Sequence, residues 1–87
     1  MFFVYILYSQ QFDKYYVGQT NDVENRLIRH NNGTEKATSP YLPWILIWSC
    51  SKASRAEAME LEKKLKNLSK ERVKQFIAKY SAGPDEA

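Results

Sequence analysis

The sequence predicts one α+β domain in which a three-stranded antiparallel sheet is flanked by helices, in the order β-β-α-β-α-α. Two β-branched and aromatic runs lie near the N-terminus, a nearly unbroken apolar run spans residues 44–50, and apolar residues recur at helical spacing over residues 54–80. A chain of 87 residues, of which 44% are apolar and 26% charged, suits a single folded core. We therefore assign residues 1–80 to the domain and residues 81–87 to a frayed tail.

The first two strands are predicted over residues 2–8 and 15–19, both of which are rich in residues that favour strands. The polar residues Gln10, Asp13 and Lys14 fall between them and suit a short connection. The two strands therefore form a hairpin at the start of the domain.

A short helix is predicted directly after this hairpin. Asn21, with Glu24 three residues later, is a candidate capping pair. Val23 and Leu27 place two apolar side chains one helical turn apart. The run Asn-Asn-Gly at residues 31–33 ends the helix.

The third strand is predicted at residues 44–50, after a loop at residues 34–43 that contains two prolines. Because this run is apolar almost without a break, we expect a central strand that is covered on both faces. Ser54 and Glu57 have the spacing of a capping box, and Ser69 is a candidate cap for the last helix. The apolar stripes of these two helices comprise Ala58, Leu61, Leu65 and Leu68 in the first, and Val73, Phe76, Ile77 and Tyr80 in the second.

Basic side chains concentrate in the C-terminal part of the chain. The formal net charge is +3, but residues 1–51 hold four basic and four acidic side chains, whereas residues 52–80 hold nine basic and four acidic ones. A basic surface of this kind binds nucleic-acid phosphates, but lysine-rich helices also keep proteins in solution. Composition alone leaves both interpretations open.

The sequence gives no sign of a disulfide or a membrane segment. The single cysteine, Cys50, has no partner within the chain and is interpreted as a small apolar side chain in a reducing compartment. The apolar run at residues 1–8 lacks the basic flank and cleavage site of a signal peptide, and it is far shorter than the roughly 20 residues that cross a bilayer. We therefore expect a cytoplasmic protein with no membrane association.

Two tyrosine-bearing motifs carry the functional signal. Val4-Tyr5-Ile6 and Tyr16-Val17-Gly18 stand on the two hairpin strands, and they are followed by Arg26 and His30 on the first helix and by a late Glu62. This arrangement resembles the GIY-YIG nuclease superfamily, in particular its small single-domain bacterial members, over nearly the whole chain. The resemblance implies a metal-dependent endonuclease that hydrolyses nucleic acid, DNA more readily than RNA, in repair or recombination.

The resemblance also assigns a role to each of these five residues. Both tyrosine hydroxyls would line the site, with either Tyr5 or Tyr16 as the general base. A phenol has an ordinary pKa near 10, so it needs nearby cations or metal-bound water to take up a proton from water. Arg26 would clamp the phosphoryl oxygens through its planar guanidinium. Glu62 would hold a divalent cation, Mg²⁺ or Mn²⁺.

Other interpretations of the same residues stay open. His30 matches a site position of the family, but near a helix C-terminus it also suits a stabilising cation. Glu62 could simply form an ion pair with Lys66 one turn later. Gly18 ends a strand that leads into a helix, where a bend or the approach of a phosphate to the backbone would require glycine. The candidate nucleic-acid contacts are Gly18, Arg29, Lys36, Thr38, Ser39, Lys63 and Lys66.

The main alternative function is a nucleic-acid-binding module that grips phosphate in the same pocket without cleaving it. The residues outside the predicted domain are too few to form a second, recognition domain, so a protein partner is expected to supply substrate specificity. Metal-dependent cleavage would separate the nuclease from the binding module.

Overall fold

The computed structural model describes residues 1–80, and its elements follow the predicted order. They are β1 (Phe2–Ser9), β2 (Lys14–Thr20), α1 (Val23–Asn31), a single 3-10 turn (Ser39–Tyr41), β3 (Ile45–Lys52), α2 (Arg55–Lys66) and α3 (Lys70–Tyr80). The three strands form one antiparallel sheet, which confirms the predicted α+β fold. The predicted tail at residues 81–87 lies outside the described residues.

The central strand is β1, not β3, because the strand order is β2-β1-β3. The prediction of a central third strand is therefore wrong. Four successive residues of β1, from Val4 to Leu7, are buried, as expected of a strand with a neighbour on each side. On the edge strand β3, Ile45 and Leu46 remain 50% and 39% exposed. An apolar run thus indicated a strand but not its place in the sheet.

Each face of the sheet packs against a different part of the chain. The face toward α2 and α3, called the α2–α3 face below, has a continuous apolar core. Its buried members are Val4, Ile6, Val17, Trp48, Ala58, Leu65 and Val73. The opposite face, called the α1 face, packs against α1 and the segment that leads to β3. Its apolar members are Tyr5, Leu7 and Trp44, with Tyr16, Leu27, Tyr41 and Leu42 around them.

The helices begin at polar capping residues. Asp22, rather than Asn21, caps α1, since its Oδ1 accepts a hydrogen bond from the backbone N–H of Asn25 at 3.1 Å. The predicted caps Ser54 and Ser69 are confirmed, because their hydroxyl oxygens accept from backbone N–H groups in the first turns of α2 and α3. No helix within residues 1–80 has the length and apolar character needed to cross a membrane.

The segment between α1 and β3 is fixed by hydrogen bonds to Asn31 and Trp44. The Asn31 amide donates to the Trp44 carbonyl at 3.0 Å and accepts from the Trp44 backbone N–H at 2.7 Å. The Trp44 indole N–H donates to the Thr38 carbonyl at 2.9 Å. These bonds hold the segment against the end of α1, and they place Thr38 beside His30.

Candidate active site

The hairpin register places the two tyrosines on one face of the sheet. Tyr5 lies opposite Gly18, and Tyr16 lies opposite Leu7, so the two tyrosines are diagonal neighbours across β1 and β2. Their ring centroids are 6.4 Å apart. Tyr5 is 1% exposed, whereas Tyr16 is only partly buried. The pair therefore has one inner phenol and one that borders solvent.

Gly18 leaves room for the inner phenol. A Cβ atom at position 18 would lie 2.6 Å from Tyr5 Cζ and closer still to the hydroxyl oxygen, well inside van der Waals contact. Gly18 lies within β2 and is buried beneath this ring. The space on the Cβ side of Gly18 is thus taken by Tyr5, and a contact of the Gly18 backbone with nucleic acid remains a prediction.

His30 connects the inner phenol to the segment after α1. Its Nε2 lies 2.9 Å from the Tyr5 hydroxyl, and its Nδ1 lies 2.9 Å from the Thr38 hydroxyl. The ring is 1% exposed and meets Tyr16 edge-on at a centroid distance of 5.0 Å. Burial lowers the pKa of His30, with Arg26 and Arg29 contributing and Glu35 opposing. Since a lowered pKa favours neutral imidazole, the interpretation of His30 as a helix-terminal cation is wrong.

The hydroxyl of Thr38 faces inward. Thr38 is completely buried, and its hydroxyl is already bonded to His30. It is therefore not available to donate to a phosphate, contrary to the prediction. Ser39 is half-buried, and Lys36 and Lys63 are exposed, so these three remain predicted contacts.

Arg26 is the residue that the sequence predicts as the phosphate-binding cation. Its side chain is half-buried on α1, one turn before His30, and within residues 1–80 it has no carboxylate within ion-pair distance. Burial raises the pKa of the Tyr5 hydroxyl, Tyr16 adds to this effect, and the positive charge of Arg26 opposes it. By contrast, Arg29 forms an ion pair with Glu35 at 2.9 Å. Within residues 1–80, Arg26 thus has an unpaired guanidinium whose positive charge acts on the Tyr5 hydroxyl.

Glu62 is the candidate site residue on α2. Its side chain is 20% exposed, and its negative charge also contributes to the raised pKa of Tyr5, after burial and Tyr16. Lys66 Nζ lies 3.3 Å from Glu62 Oε2 and 5.7 Å from the centroid of the Tyr16 ring. The structure therefore contains the ion pair that the sequence offered as an alternative, and it places this pair beside the outer phenol.

A groove of about 350 Å³ opens next to Tyr16, between β2 and the corner where α2 meets α3. Three lysines contribute basic side chains to it, Lys14, Lys66 and Lys70. Lys66 is paired with Glu62 at 3.3 Å, and Lys70 is paired with Asp13 at 2.9 Å. An open groove with cations beside a phenol can admit a phosphate-bearing strand. The site thus borders a surface of suitable charge.

The donor set fits a hard divalent cation better than zinc. No group of three or more His, Cys, Asp or Glu side chains able to hold a metal occurs within residues 1–80. Zinc sites need three or four protein ligands, whereas Mg²⁺ accepts one carboxylate together with waters and substrate phosphate. Glu62 is such a carboxylate.

Two residues that shape the site are not indicated by any sequence pattern. Glu35 pairs with Arg29 and opposes the lowering of the His30 pKa, and Asn31 anchors Trp44. Asn31 was interpreted only as part of the helix end. Neither side chain carries a local pattern that would reveal partners 6 and 13 residues away along the chain.

The chain is similar to known proteins over most of its length. The profile of the GIY-YIG catalytic domain matches residues 1–80. A UPF0213 protein of Streptococcus pneumoniae is 35% identical over 77 residues, which cover 87% of this chain and 77% of that protein. A UPF0213 protein of Vibrio campbellii is 38% identical over 68 residues, which cover 77% of this chain and 64% of that protein.

A solved structure is similar to the chain in both fold and sequence. The solution NMR structure of the UPF0213 protein BH0048 from Bacillus halodurans is 33% identical, with a TM-score of 0.60. The match covers 99% of this chain and 92% of that chain. The domain match, the relatives and the shared fold show together that the chain belongs to the GIY-YIG family of nuclease domains.

Proposed function

We propose that the protein is a metal-dependent endonuclease that hydrolyses phosphodiester bonds in nucleic acid. The observation that supports this most is the pair of neighbouring phenols on β1 and β2, because the charges of Arg26 from α1 and of the half-buried Glu62 from α2 both act on Tyr5. Hydrolysis of a phosphodiester needs an acceptor for the proton of water and positive charge near the phosphoryl oxygens. The phenols and Arg26 are the groups proposed for these two roles.

In the proposed reaction, a tyrosine hydroxyl accepts the proton of a water molecule that attacks phosphorus in line. Arg26 donates two hydrogen bonds to non-bridging oxygens and offsets the charge that develops on them. Tyr16, at the edge of the groove, positions the strand next to the inner phenol. Most of the acceleration would come from this positioning and charge offset.

Glu62 is proposed as the residue that holds Mg²⁺ or Mn²⁺. When bound, such an ion would polarise the phosphoryl group and stabilise the leaving oxygen. Lys66 competes for the same carboxylate, since its ammonium lies 3.3 Å from Oε2. A cation held by Glu62 would therefore have to displace this lysine.

The proposal extends to the substrate and its setting. DNA is the proposed nucleic acid, in repair or recombination in the cytoplasm, because the family resemblance implies DNA more readily than RNA. The groove is small, so a protein partner is proposed to supply the choice of DNA site or structure.

A binding module without cleavage is the second candidate. The observation that favours it is the Glu62–Lys66 ion pair, which neutralises the only carboxylate assigned to the metal. In that case the cations would grip phosphate while no water is activated. Cleavage assays separate the two functions directly.

The test uses labelled DNA and RNA structures with Mg²⁺, with Mn²⁺ and with chelator. We expect cleavage that depends on the cation, and a loss of about 10²–10³ in rate in Arg26→Ala and Glu62→Gln. Arg72→Ala and Glu60→Gln are matched controls, because both side chains are exposed on helices and have no assigned role. Salt-dependent binding without cleavage would replace the nuclease proposal with the binding module, and equal rates in a site variant and its control would remove that residue from the site.

A further inference from the structure

Three side chains form a hydrogen-bonded series that leads from the candidate site into the protein interior. The Tyr5 hydroxyl lies 2.9 Å from His30 Nε2, and His30 Nδ1 lies 2.9 Å from Thr38 Oγ1. All three residues are at most 1% exposed. Tyr5 comes from β1, His30 from α1, and Thr38 from the segment that Trp44 holds in place.

The supply of hydrogens and lone pairs identifies the histidine tautomer. Thr38 has a single hydroxyl hydrogen, and the Glu35 carbonyl, 3.4 Å away, accepts it. Thr38 Oγ1 then accepts from Nδ1–H, and the lone pair of Nε2 accepts from the Tyr5 hydroxyl. In the opposite tautomer, Nε2–H would point at the Tyr5 oxygen, and the Tyr5 hydrogen would have no acceptor among residues 1–80. Only the first arrangement uses every hydrogen.

We propose that Thr38 is a positioning residue that holds His30 in its Nδ1–H tautomer, so that Nε2 receives the proton that passes through Tyr5 during hydrolysis. This inference deepens the proposed nuclease function and rests on it. It also selects Tyr5 over Tyr16 as the phenol that accepts the proton of water, because the hydroxyl of Tyr5 has a proton acceptor behind it.

The step balances without a further reagent. The water oxygen forms the new bond to phosphorus and gives one proton to the Tyr5 oxygen, while the Tyr5 proton moves to His30 Nε2. The bond between phosphorus and the leaving oxygen breaks, and the leaving alkoxide takes a proton from solvent water. The imidazolium of His30 then returns its proton to solvent.

A concerted transfer suits the burial of both groups. Burial raises the pKa of Tyr5 and lowers the pKa of His30, so a resting phenolate beside an imidazolium is disfavoured. When both protons move together, Tyr5 stays neutral throughout. The groups that face His30 are the rings of Tyr5 and Tyr16 from the sheet, Glu35, which favours the imidazolium, and Arg26 and Arg29, which oppose it.

The tautomer is directly measurable, because the chain contains one histidine. In ¹H–¹⁵N correlation spectra of protein labelled with ¹⁵N-histidine, we expect a protonated Nδ1 and an unprotonated Nε2. Thr38→Val keeps the shape but removes the hydroxyl, and we expect it to shift the population toward Nε2–H. Thr38→Ser restores the hydroxyl and is expected to restore the parent tautomer. The matched control is Thr34→Val, since the Thr34 hydroxyl donates to the Arg29 carbonyl and not to the histidine.

Cleavage by the same variants supplies the second readout. We expect Thr38→Val to lower kcat by about 10-fold to 100-fold, a part of the 10²–10⁴ that general acid–base groups contribute, with KM unchanged. Thr38→Ser and Thr34→Val should retain the kcat of the parent protein.

Three results would overturn the inference: an Nε2–H tautomer in the parent protein, an unchanged tautomer in folded Thr38→Val, or a kcat for that variant equal to that of the parent. If Thr38→Val does not fold, the parent spectrum and Thr38→Ser still decide. A parent protein that binds but cleaves nothing would remove the proposed function, while the spectra of the parent protein and of Thr38→Val would still report whether Thr38 sets the tautomer.

Discussion

The two faces of the sheet are built on different physical principles. The α2–α3 face buries an apolar core with few polar atoms, whereas the α1 face buries the Tyr5, His30 and Thr38 side chains among aromatic rings. Apolar burial contributes stability in proportion to area. A buried series of hydrogen-bonded side chains contributes little net stability to the protein, but breaking one of its bonds costs much.

This difference teaches where stability and chemistry reside in a small domain. The α2–α3 face contributes stability through apolar burial, whereas the α1 face combines buried apolar side chains such as Leu7 and Trp44 with polar groups held in one arrangement. Substitutions in the core of the α2–α3 face should therefore lower stability, whereas substitutions of the polar groups on the α1 face should lower the rate of cleavage.

Removing the inner hydroxyl should have the largest effect on chemistry. Tyr5→Phe deletes the first link to His30, and we expect kcat to fall by about 10²–10⁴, whereas Tyr16→Phe should cost less because its hydroxyl has no comparable acceptor. Tyr8→Phe is the control, since that hydroxyl bonds to Asp13 at the surface. A larger loss in Tyr16→Phe than in Tyr5→Phe would assign the base to the outer phenol.

Shortening a core side chain of the α2–α3 face should lower the free energy of unfolding without changing the chemistry. Leu65 is 1% exposed in the core between α2 and the sheet, and Leu65→Ala should lower the free energy of unfolding by about 2–5 kcal/mol. Urea unfolding measures this loss, and Met59→Ala, at an exposed position of the same helix, is the control. If kcat per folded molecule also fell sharply in Leu65→Ala, the two faces would not be separable.

The smallest expected effect is on the pH dependence of stability. Because burial lowers the pKa of His30, the unfolded chain binds a proton first as pH falls. Stability should be constant above the ordinary histidine value of about 6.5 and should decline as pH falls from there toward the folded-state pKa. Urea unfolding between about pH 8 and pH 5 tests this. In His30→Gln this decline should vanish, and an identical decline in that variant would mean that another group titrates.

The sequence predicted the elements well because their signals are local. The helix caps at Ser54 and Ser69 depend on bonds to residues only three positions away, and the hairpin depends on two nearby strands. The order of the strands was not predicted, because an apolar run such as that of β3 records burial of side chains and not the number of neighbours. The cap of α1 was misplaced by one residue, since Asn21 and Asp22 are both good capping residues.

The site was predicted as a set of residues but not as a set of contacts. The motif resemblance assigns Tyr5, His30 and Glu62 to one site; in the structure His30 bonds to Tyr5, and the charge of Glu62 raises the pKa of Tyr5. Thr38 was interpreted as a phosphate donor because a threonine in a loop is ordinarily exposed. Its burial depends on Trp44 and Asn31, two contacts that no local pattern reveals.

The contact between Gly18 and Tyr5 also provides a rule for interpreting other sequences with this fold. A Cβ at position 18 would overlap ring carbons as well as the hydroxyl, so exchanging Tyr5 for phenylalanine makes no room for it. The two positions are therefore coupled, because a side chain at position 18 requires the Tyr5 ring to shift from its present place. In a sequence with this fold, a larger residue at position 18 thus predicts a displaced or smaller side chain at position 5.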